Sequence, residues 1–211
     1  MATKQTRTES DLIGALEIPM ECKYGVQTFR AIDNFPITGI GINRYPNIVK
    51  YLGVIKKAAA VANYETGKIS KEIYEGIVKA CDDVIAGKYN DQFPVDVIQG
   101  GAGTSTNMNA NEVIANVALE YMGHQPGQYE FCSPNDHVNG SQSTNDAYPC
   151  AVHLAMYADH LEMVKHLDML IESLEKKAEE YKNIIKMGRT QLQDAVPMTL
   201  GLTFKAFAQS M

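Results

Sequence analysis

The sequence has no excess of positive charge, no closely spaced cysteine pair and no long apolar run. Lys and Arg together number 19 and Asp and Glu 25, so the net charge is −6. A nucleic-acid-binding protein usually has an excess of Lys and Arg, and this chain has none, so nucleic acid is excluded as a partner. No stretch approaches the roughly 18 apolar residues of a membrane span, and the polar start contains no apolar signal segment. We therefore expect a cytoplasmic protein without a membrane partner.

The cysteines Cys22, Cys81, Cys132 and Cys150 are scattered along the chain. They form no CxxC pair, and no histidine stands at the spacing of zinc ligands. This pattern predicts free thiols in a reducing compartment and no metal site. A hydrophobic content of 45% over 211 residues is ample for a core, in one domain or one and a half.

Glycine and proline recur at short intervals in the first 46 residues. This pattern predicts turns and a small hairpin, with short strand-prone segments such as residues 24–29. Helical spacing begins afterwards. It predicts helices over residues 48–66, over residues 71–86 with Ser70 as the N-cap, and over residues 108–122.

Residues 150–187 contain no glycine or proline, and apolar residues recur there in steps of three or four. A second apolar stripe passes through Met156, Met163 and Leu170. A helix of this length, about 55 Å, that is apolar on more than one face needs bundle partners from other subunits or from further sequence. After Pro197 a new helical pattern reaches Met211 without a stop signal, so we expect this chain to be part of a longer protein.

Polar, uncharged segments precede several helical patterns: GGAGTSTN at 100–107, SPNDHVNGSQSTND at 133–146 and GRTQLQDAVP at 188–197. Helix N-termini with nearby hydroxyls suit carboxylate or phosphate groups. The glycines at 100, 101 and 103 permit left-handed backbone close to a ligand, although for that segment by itself a glycine turn followed by polar N-caps is the favoured interpretation. Together the segments predict a pocket that holds negative oxygen atoms without a metal.

Two charged or titratable side chains within these segments have alternative roles. We expect His137, between Asp136 and Val138, to form structural hydrogen bonds, and contact with substrate is the alternative. We expect Arg189 to brace the third polar segment rather than to bind a ligand.

The strings GGAGTSTNMNANEVIAN, PNDHVNGSQSTNDAYP and GRTQLQDAVPMTLG resemble the aspartase/fumarase superfamily. The resemblance runs through nearly the whole chain, including DLIGALEIP and YGVQTFRAIDNF. KAAAVAN, DQFPVDVIQGGAGTS and Gln191, where fumarases usually have His, resemble the aspartase branch, the aspartate ammonia-lyases. Ser133, where fumarases place the His of an accessory dicarboxylate site, favours the same branch. A fumarase, another superfamily lyase, and a non-catalytic structural or assembly fragment remain as alternatives.

The resemblance implies a mainly α fold, with the N-terminal domain of the superfamily followed by the beginning of its long central helical bundle. It places an N-terminal lyase domain at residues 1–141 and an incomplete central helical domain at residues 142–211, without the C-terminal domain. It also implies a homotetramer assembled through long helices, with each site formed by loops of different subunits.

The resemblance further implies reversible elimination of ammonia from L-aspartate to give fumarate, with no organic cofactor. In the family, hydroxyl and amide side chains of the polar segments bind the substrate. The motifs assign the side-chain carboxylate to Thr104, Ser143 and Thr144. They place Asn145, together with Thr104, near the amine. They assign the α-carboxylate to Thr190 and place Gln191 close to the amino group.

The family's mobile loop, GSSxMPxKxNP, carries the catalytic serine base and a substrate-binding lysine, and it does not occur in this sequence. No catalytic residue is therefore assigned within the chain. We expect residues 1–211 to be inactive by themselves, although the protein they come from is expected to be an enzyme.

Overall fold

The computed structural model describes residues 5–99 and 101–211. With 59% helix and 13% strand it confirms the prediction of a mainly α fold. The chain divides into two compact units, Met1–Met156 and Tyr157–Met211. The predicted domain boundary after residue 141 stays a prediction. No helix in the described part of the chain combines the length and the hydropathy of a membrane span.

The first unit begins with an antiparallel hairpin and continues with helices, and the second unit contains another hairpin. The elements are β1 (Thr6–Asp11), β2 (Gly14–Pro19), α1 (Val26–Asn34), α2 (Pro46–Glu65), α3 (Lys71–Ile85), α4 (Thr104–Tyr121), α5 (Thr144–Glu180), β3 (Ile185–Thr190), β4 (Gln193–Thr199) and α6 (Leu200–Ser210). A single π-helical turn, Pro134–Val138, lies between α4 and α5.

Helix α4 is the centre of the first unit. Every residue from Thr106 to Leu119 is buried, because α1, α2 and α3 all pack against this helix. Leu52, Ile77 and Ile114 are among the fully buried side chains of this core. Burial of a large aliphatic side chain contributes about 1.5–3 kcal/mol, so this cluster supplies much of the stability of the unit.

The N-terminus of α1 is held by a carboxylate from α4. The backbone N–H groups of Gly25 and Thr28 donate to Glu112 Oε2 at 2.9 and 3.0 Å, and that of Gln27 donates to Oε1 at 2.9 Å. The hairpin predicted within the first 46 residues is confirmed, but the assignment of residues 24–29 as strand-prone is wrong, because α1 begins at Val26. This carboxylate lies more than 80 residues away in sequence, so the local pattern gave no sign of it.

The other helices of the first unit begin and end close to the predicted positions. Ser70 is the N-cap of α3, and its Oγ accepts a hydrogen bond from Ile73 N at 3.3 Å. Helix α4 begins at Thr104, four residues before the predicted start. The reason is Gly103, whose left-handed backbone, with φ of 91°, turns the chain directly into the helix.

The long helix α5 differs from its prediction at both ends. It begins at Thr144 and contains Pro149, and it ends at Glu180, whereas the prediction ran from 150 to 187. Residues 185–187 belong to β3, and the segment 188–197, which lies between two predicted helical patterns, forms most of a β-hairpin. Gln191 and Leu192 have φ of 47° and 64°, and positive φ at both central residues is the geometry of a two-residue hairpin turn.

Helix α5 exposes large apolar side chains along most of its length. Met156 and Tyr157 are each 63% exposed and Met169 is 65% exposed, and Leu161 and Met163 are also exposed. An apolar face of this extent is typical of a surface that packs against other helices.

We therefore expect isolated residues 1–211 to self-associate in solution. The apolar side chains of α5 drive this association, so the double variant Met156→Glu/Met163→Glu is expected to reduce it. Light scattering measures the mass of both proteins across a concentration series. A monodisperse monomer of the unaltered chain at all concentrations would contradict the expectation.

Candidate functional site

The glycine-rich segment passes close to the first turn of α5. Gly101 and Gly103 have φ of 79° and 91°, which confirms the left-handed backbone predicted for them, while Gly100 lies outside the described residues. Any Cβ atom at Gly103 would overlap the ring of Tyr148 on α5. Only glycine therefore satisfies both the backbone angle and the close packing at this position.

An open cavity of about 480 Å³ lies between this segment and α5. Gln99, Gly101 and Gly103 line one side, and Asn145 and Tyr148 line the other. Thr104, which directly follows Gly103, is the first residue of α4 and is exposed. The cavity thus lies beside the N-termini of two helices, where backbone N–H groups favour negative charge.

Ser143 caps the N-terminus of α5. Its carbonyl oxygen accepts hydrogen bonds from Asp146 N at 3.1 Å and Ala147 N at 3.0 Å, and its Oγ accepts from Asn145 N at 3.3 Å. Ser143 and Asn145 are exposed. Because Ser143 Oγ acts as an acceptor in its bond with Asn145 N, the hydroxyl hydrogen is available to a ligand.

The Thr144 hydroxyl is oriented by a buried amide. Asn107 on α4, only 1% exposed, donates from Nδ2 to Thr144 Oγ1 at 3.1 Å and to Asn139 Oδ1 at 3.0 Å. None of the described residues accepts the hydroxyl hydrogen of Thr144. This hydrogen is therefore free to be donated to a carboxylate oxygen.

A buried lysine, Lys56 on α2, holds the turn that leads into α5. Its side chain is fully buried, and Nζ donates to Asn139 Oδ1 and Gln142 Oε1, each at 2.9 Å. Burial lowers the pKa of Lys56 to about 7. In the unfolded chain the pKa of this lysine is near 10.5, so between pH 7 and pH 10.5 the unfolded state binds a proton that the folded state has released. The free energy of unfolding therefore rises as the pH rises from about 7 to 10.5.

Sequence reasoning missed Lys56, although a signal was present. The buried positions of α2 include Val49, Leu52, Ala60 and Asn63, and Lys56 stands on the same face in steps of three or four. A lysine within an apolar stripe indicates a buried cation that needs acceptors. Asn107 was missed because Asn in a buried helix has no characteristic spacing.

His137 forms a structural hydrogen bond of the kind predicted for it. Its Nδ1 accepts a hydrogen bond from Ser133 N at 2.9 Å, which fixes the ring within the π-helical turn. Ser133 Oγ in turn accepts from Asp136 N at 3.1 Å and so caps the same turn.

Thr190 and Gln191 lie in the second unit, at the tip of the β3–β4 hairpin. Thr190 is paired with Gln193, Gln191 is in the turn, and both residues are exposed. Arg189 and Asp194 are cross-strand partners with Nε and Oδ1 3.7 Å apart, in accord with the predicted bracing role of the arginine. The other predicted binding residues, Thr104 and the run 143–145, belong to the first unit.

The cysteines and the acidic side chains of the described residues are not grouped as metal ligands. All the cysteines are free, as predicted, with Cys81 and Cys132 buried. Within residues 5–99 and 101–211, no group of three or more His, Cys, Asp or Glu side chains is arranged to hold a metal ion.

Comparison with known proteins gives consistent matches. A family model described as "Lyase" matches residues 14–211. The aspartate ammonia-lyase of Pseudomonas canavaninivorans is 54% identical over 205 residues, which cover 97% of this chain and 43% of that protein. The crystal structure of fumarate lyase:delta crystallin from Brucella melitensis in native form has a TM-score of 0.90 and 51% identity, and the match covers 98% of this chain and 48% of that one.

A class II fumarase also has a similar fold. The crystal structure from Schistosoma mansoni has a TM-score of 0.82 and 37% identity, and the match covers 97% of this chain and 43% of that one. The chain therefore spans less than half the length of each of these relatives.

Proposed function

The chain belongs to the lyase family whose model matches it, and on this premise we propose that the complete protein is an aspartate ammonia-lyase. The reaction is the reversible elimination of ammonia from L-aspartate to give fumarate. The observation that carries the proposal is the start of α5, where the Ser143 and Thr144 hydroxyls both act as acceptors within the protein and keep their hydrogens for a ligand.

The main energetic cost of this elimination is the negative charge that accumulates on the substrate carboxylate. When a base removes the proton next to the side-chain carboxylate, that carboxylate takes up a second negative charge before ammonia leaves. Fixed donors aimed at developing charge contribute about 3 kcal/mol each, because they need no reorganisation during the reaction. Thr104, Ser143 and Thr144 supply hydroxyl donors for this carboxylate, and the N-terminus of α5 adds favourable backbone N–H groups.

The remaining contacts determine the orientation of the substrate. Asn145, which lines the cavity beside Gly103, lies near the amine together with Thr104. Thr190 binds the α-carboxylate, and Gln191 lies close to the amino group. Both are presented by the exposed tip of the second hairpin, which is accessible to a ligand or to another subunit. The serine base belongs to a motif that is absent from residues 1–211, so these residues alone are expected to be inactive.

We also propose that the complete protein is a homotetramer and works in the cytoplasm. The exposed apolar face of α5 supports assembly through long helices. The free cysteines support a reducing compartment.

A fumarase is the rival function, and the similarity to the fumarase from Schistosoma mansoni favours it. Gln191 and Ser133, at positions where the fumarase pattern has histidines, argue against it. The absorbance of fumarate at equal concentrations of L-aspartate and L-malate separates the two functions in the complete protein. We expect fumarate from aspartate and none from malate, and the reverse result would establish the rival.

A further inference from the structure

The turn that precedes α5 is held at several points by α2 and by the segment that follows α2. Lys56 Nζ donates to Asn139 and Gln142, Asn63 Nδ2 donates to Gly140 O at 2.9 Å, and Lys68 Nζ donates to Ser141 Oγ at 2.7 Å. We call residues 139–142 the anchored turn. Ser141 within it has φ of 60°, a left-handed conformation that a serine keeps only when its surroundings hold it there.

Lys56 is the fully buried member of this set of donors. It is 0% exposed, whereas the Lys68 contact to Ser141 lies at the surface. Among the described residues no carboxylate forms an ion pair with Lys56, so amide oxygens alone compensate its burial. A buried cation with neutral partners is costly for stability, so its position requires another reason.

The hydrogen bonds of Lys56 continue to the substrate-binding hydroxyl. Asn139 Oδ1 accepts from Lys56 Nζ at 2.9 Å and from Asn107 Nδ2 at 3.0 Å. The same Asn107 Nδ2 donates to Thr144 Oγ1 at 3.1 Å. Lys56 thereby fixes the amide of Asn139, Asn139 fixes the amide of Asn107, and Asn107 fixes the direction in which Thr144 presents its hydrogen.

We propose that Lys56 is a positioning residue for substrate binding, acting on the Thr144 hydroxyl through Asn139 and Asn107 and on the start of α5 through Gln142. The inference rests on the proposed function, since it assigns Thr144 to the substrate carboxylate. Lys56 itself does not touch the substrate in this account. Its effect is to keep a hydroxyl donor aligned while charge develops on the carboxylate.

The surroundings of Lys56 make this positioning sensitive to pH. On the α3 side it faces the Cys81 thiol, whose pKa is raised by burial, so that the thiol stays neutral. On the side of the anchored turn it faces the uncharged amides of Asn139 and Gln142. Because the pKa of Lys56 is lowered to about 7, its hydrogen bonds lose their charge as the pH rises through neutrality.

The test uses the complete protein with Lys56→Met, Lys56→Gln and the neighbouring Lys57→Met as the matched control. Lys57 is an exposed residue of the same helix whose Nζ lies 2.6 Å from Asp82 Oδ1. We expect Lys56→Met to lower kcat/KM for aspartate by roughly 100-fold, the size of effect produced by small misplacements in a site. Lys57→Met should stay within about twofold of the wild type.

The pH profile separates positioning by charge from a merely structural role. Lys56→Gln keeps an amide donor but cannot titrate. Because Lys56 in the wild type loses its charge as the pH rises, the ratio of wild-type kcat/KM to variant kcat/KM should fall between pH 6 and pH 8. Hydrogen exchange of residues 139–147, measured without substrate, should be faster in Lys56→Met and unchanged in Lys57→Met. If Lys56→Met does not fold, Lys56→Gln is judged by the same criteria.

Wild-type kinetics and wild-type exchange in the folded Lys56 variants would overturn the proposal, and so would a ratio that does not change with pH. A wild-type protein inert toward aspartate would defeat the proposed function instead. In that event hydrogen exchange by itself tests the role of Lys56. Faster exchange at residues 139–147 in Lys56→Met supports the proposal, and unchanged exchange overturns it.

Discussion

Glu112→Ala is expected to lower the free energy of unfolding of the first unit by about 3 kcal/mol or more. The carboxylate is 1% exposed and accepts hydrogen bonds from the backbone N–H groups of Gly25, Gln27 and Thr28. Its removal leaves these donors without an acceptor in a dry interior, and it also leaves a cavity in the middle of α4. Helix α1 should therefore detach from α4 before the rest of the unit unfolds.

Glu120→Ala on the same helix is the matched control. Glu120 pairs with Lys23 at 2.5 Å, but its side chain is 39% exposed, so the ion pair is screened and the loss should be below about 1 kcal/mol. Urea unfolding of the complete protein, with hydrogen exchange of residues 25–34, measures both effects. Equal midpoints for the two variants would show that the buried carboxylate does not anchor α1.

Gly103→Ala is expected to reduce activity on aspartate by more than about 100-fold. The new Cβ would overlap the Tyr148 ring, and alanine is strained at φ of 91°. To relieve the overlap, the glycine-rich segment must move away from α5, which separates Thr104 from Asn145. The loss should appear in kcat/KM measured from fumarate formation.

Gly123→Ala controls for the backbone strain alone. Gly123 has φ of 82°, yet a Cβ there would meet no atom within 4 Å. This variant should lose roughly 1 kcal/mol of stability from its left-handed backbone and keep its activity. Similar activity losses in the two glycine variants would indicate that packing against Tyr148 is not what shapes the site.

The sequence predicted the elements whose causes are local. Ser70 caps α3 through its own hydroxyl, and α2 and α3 end at residues followed closely by Gly67 and Gly87. Such signals lie within a few residues of the structure they determine. The mainly α fold and the membership in the aspartase/fumarase superfamily were confirmed for the same reason, since both were carried by contiguous patterns and motifs.

The mistaken predictions concern elements that depend on distant partners. Helix α1 replaces a predicted strand because Glu112, on another helix, satisfies its N-terminus. The strand β3 replaces the last turns of the predicted long helix because it pairs with β4. No glycine or proline stands between residue 150 and Gly188, so the sequence carried no signal that the helix ends at Glu180. Apolar periodicity alone does not separate a helix end from a short strand.

The sequence offered candidate binding residues, which stay a prediction, but it did not indicate the buried residues that hydrogen-bond to them. Thr104, Ser143, Thr144 and Asn145 belong to polar segments that stand out in the sequence. Their supports, Lys56 and Asn107, are buried polar residues within helices, and their roles follow only from which groups the fold brings together. A buried donor becomes recognisable when its acceptors are known.

The most direct test of the account is aspartate-dependent fumarate formation by the complete protein, followed by ultraviolet absorbance for the wild type, Ser143→Ala, Thr190→Ala and Ser173→Ala. Ser173 is an exposed serine of α5 whose hydroxyl, among the described residues, bonds a backbone carbonyl alone, Met169 O at 2.8 Å, so its variant is the control. We predict activity on aspartate that falls by roughly 100-fold or more in Ser143→Ala and Thr190→Ala and is unchanged in Ser173→Ala. A wild-type protein without activity on aspartate, or full activity in both binding variants, would contradict the account.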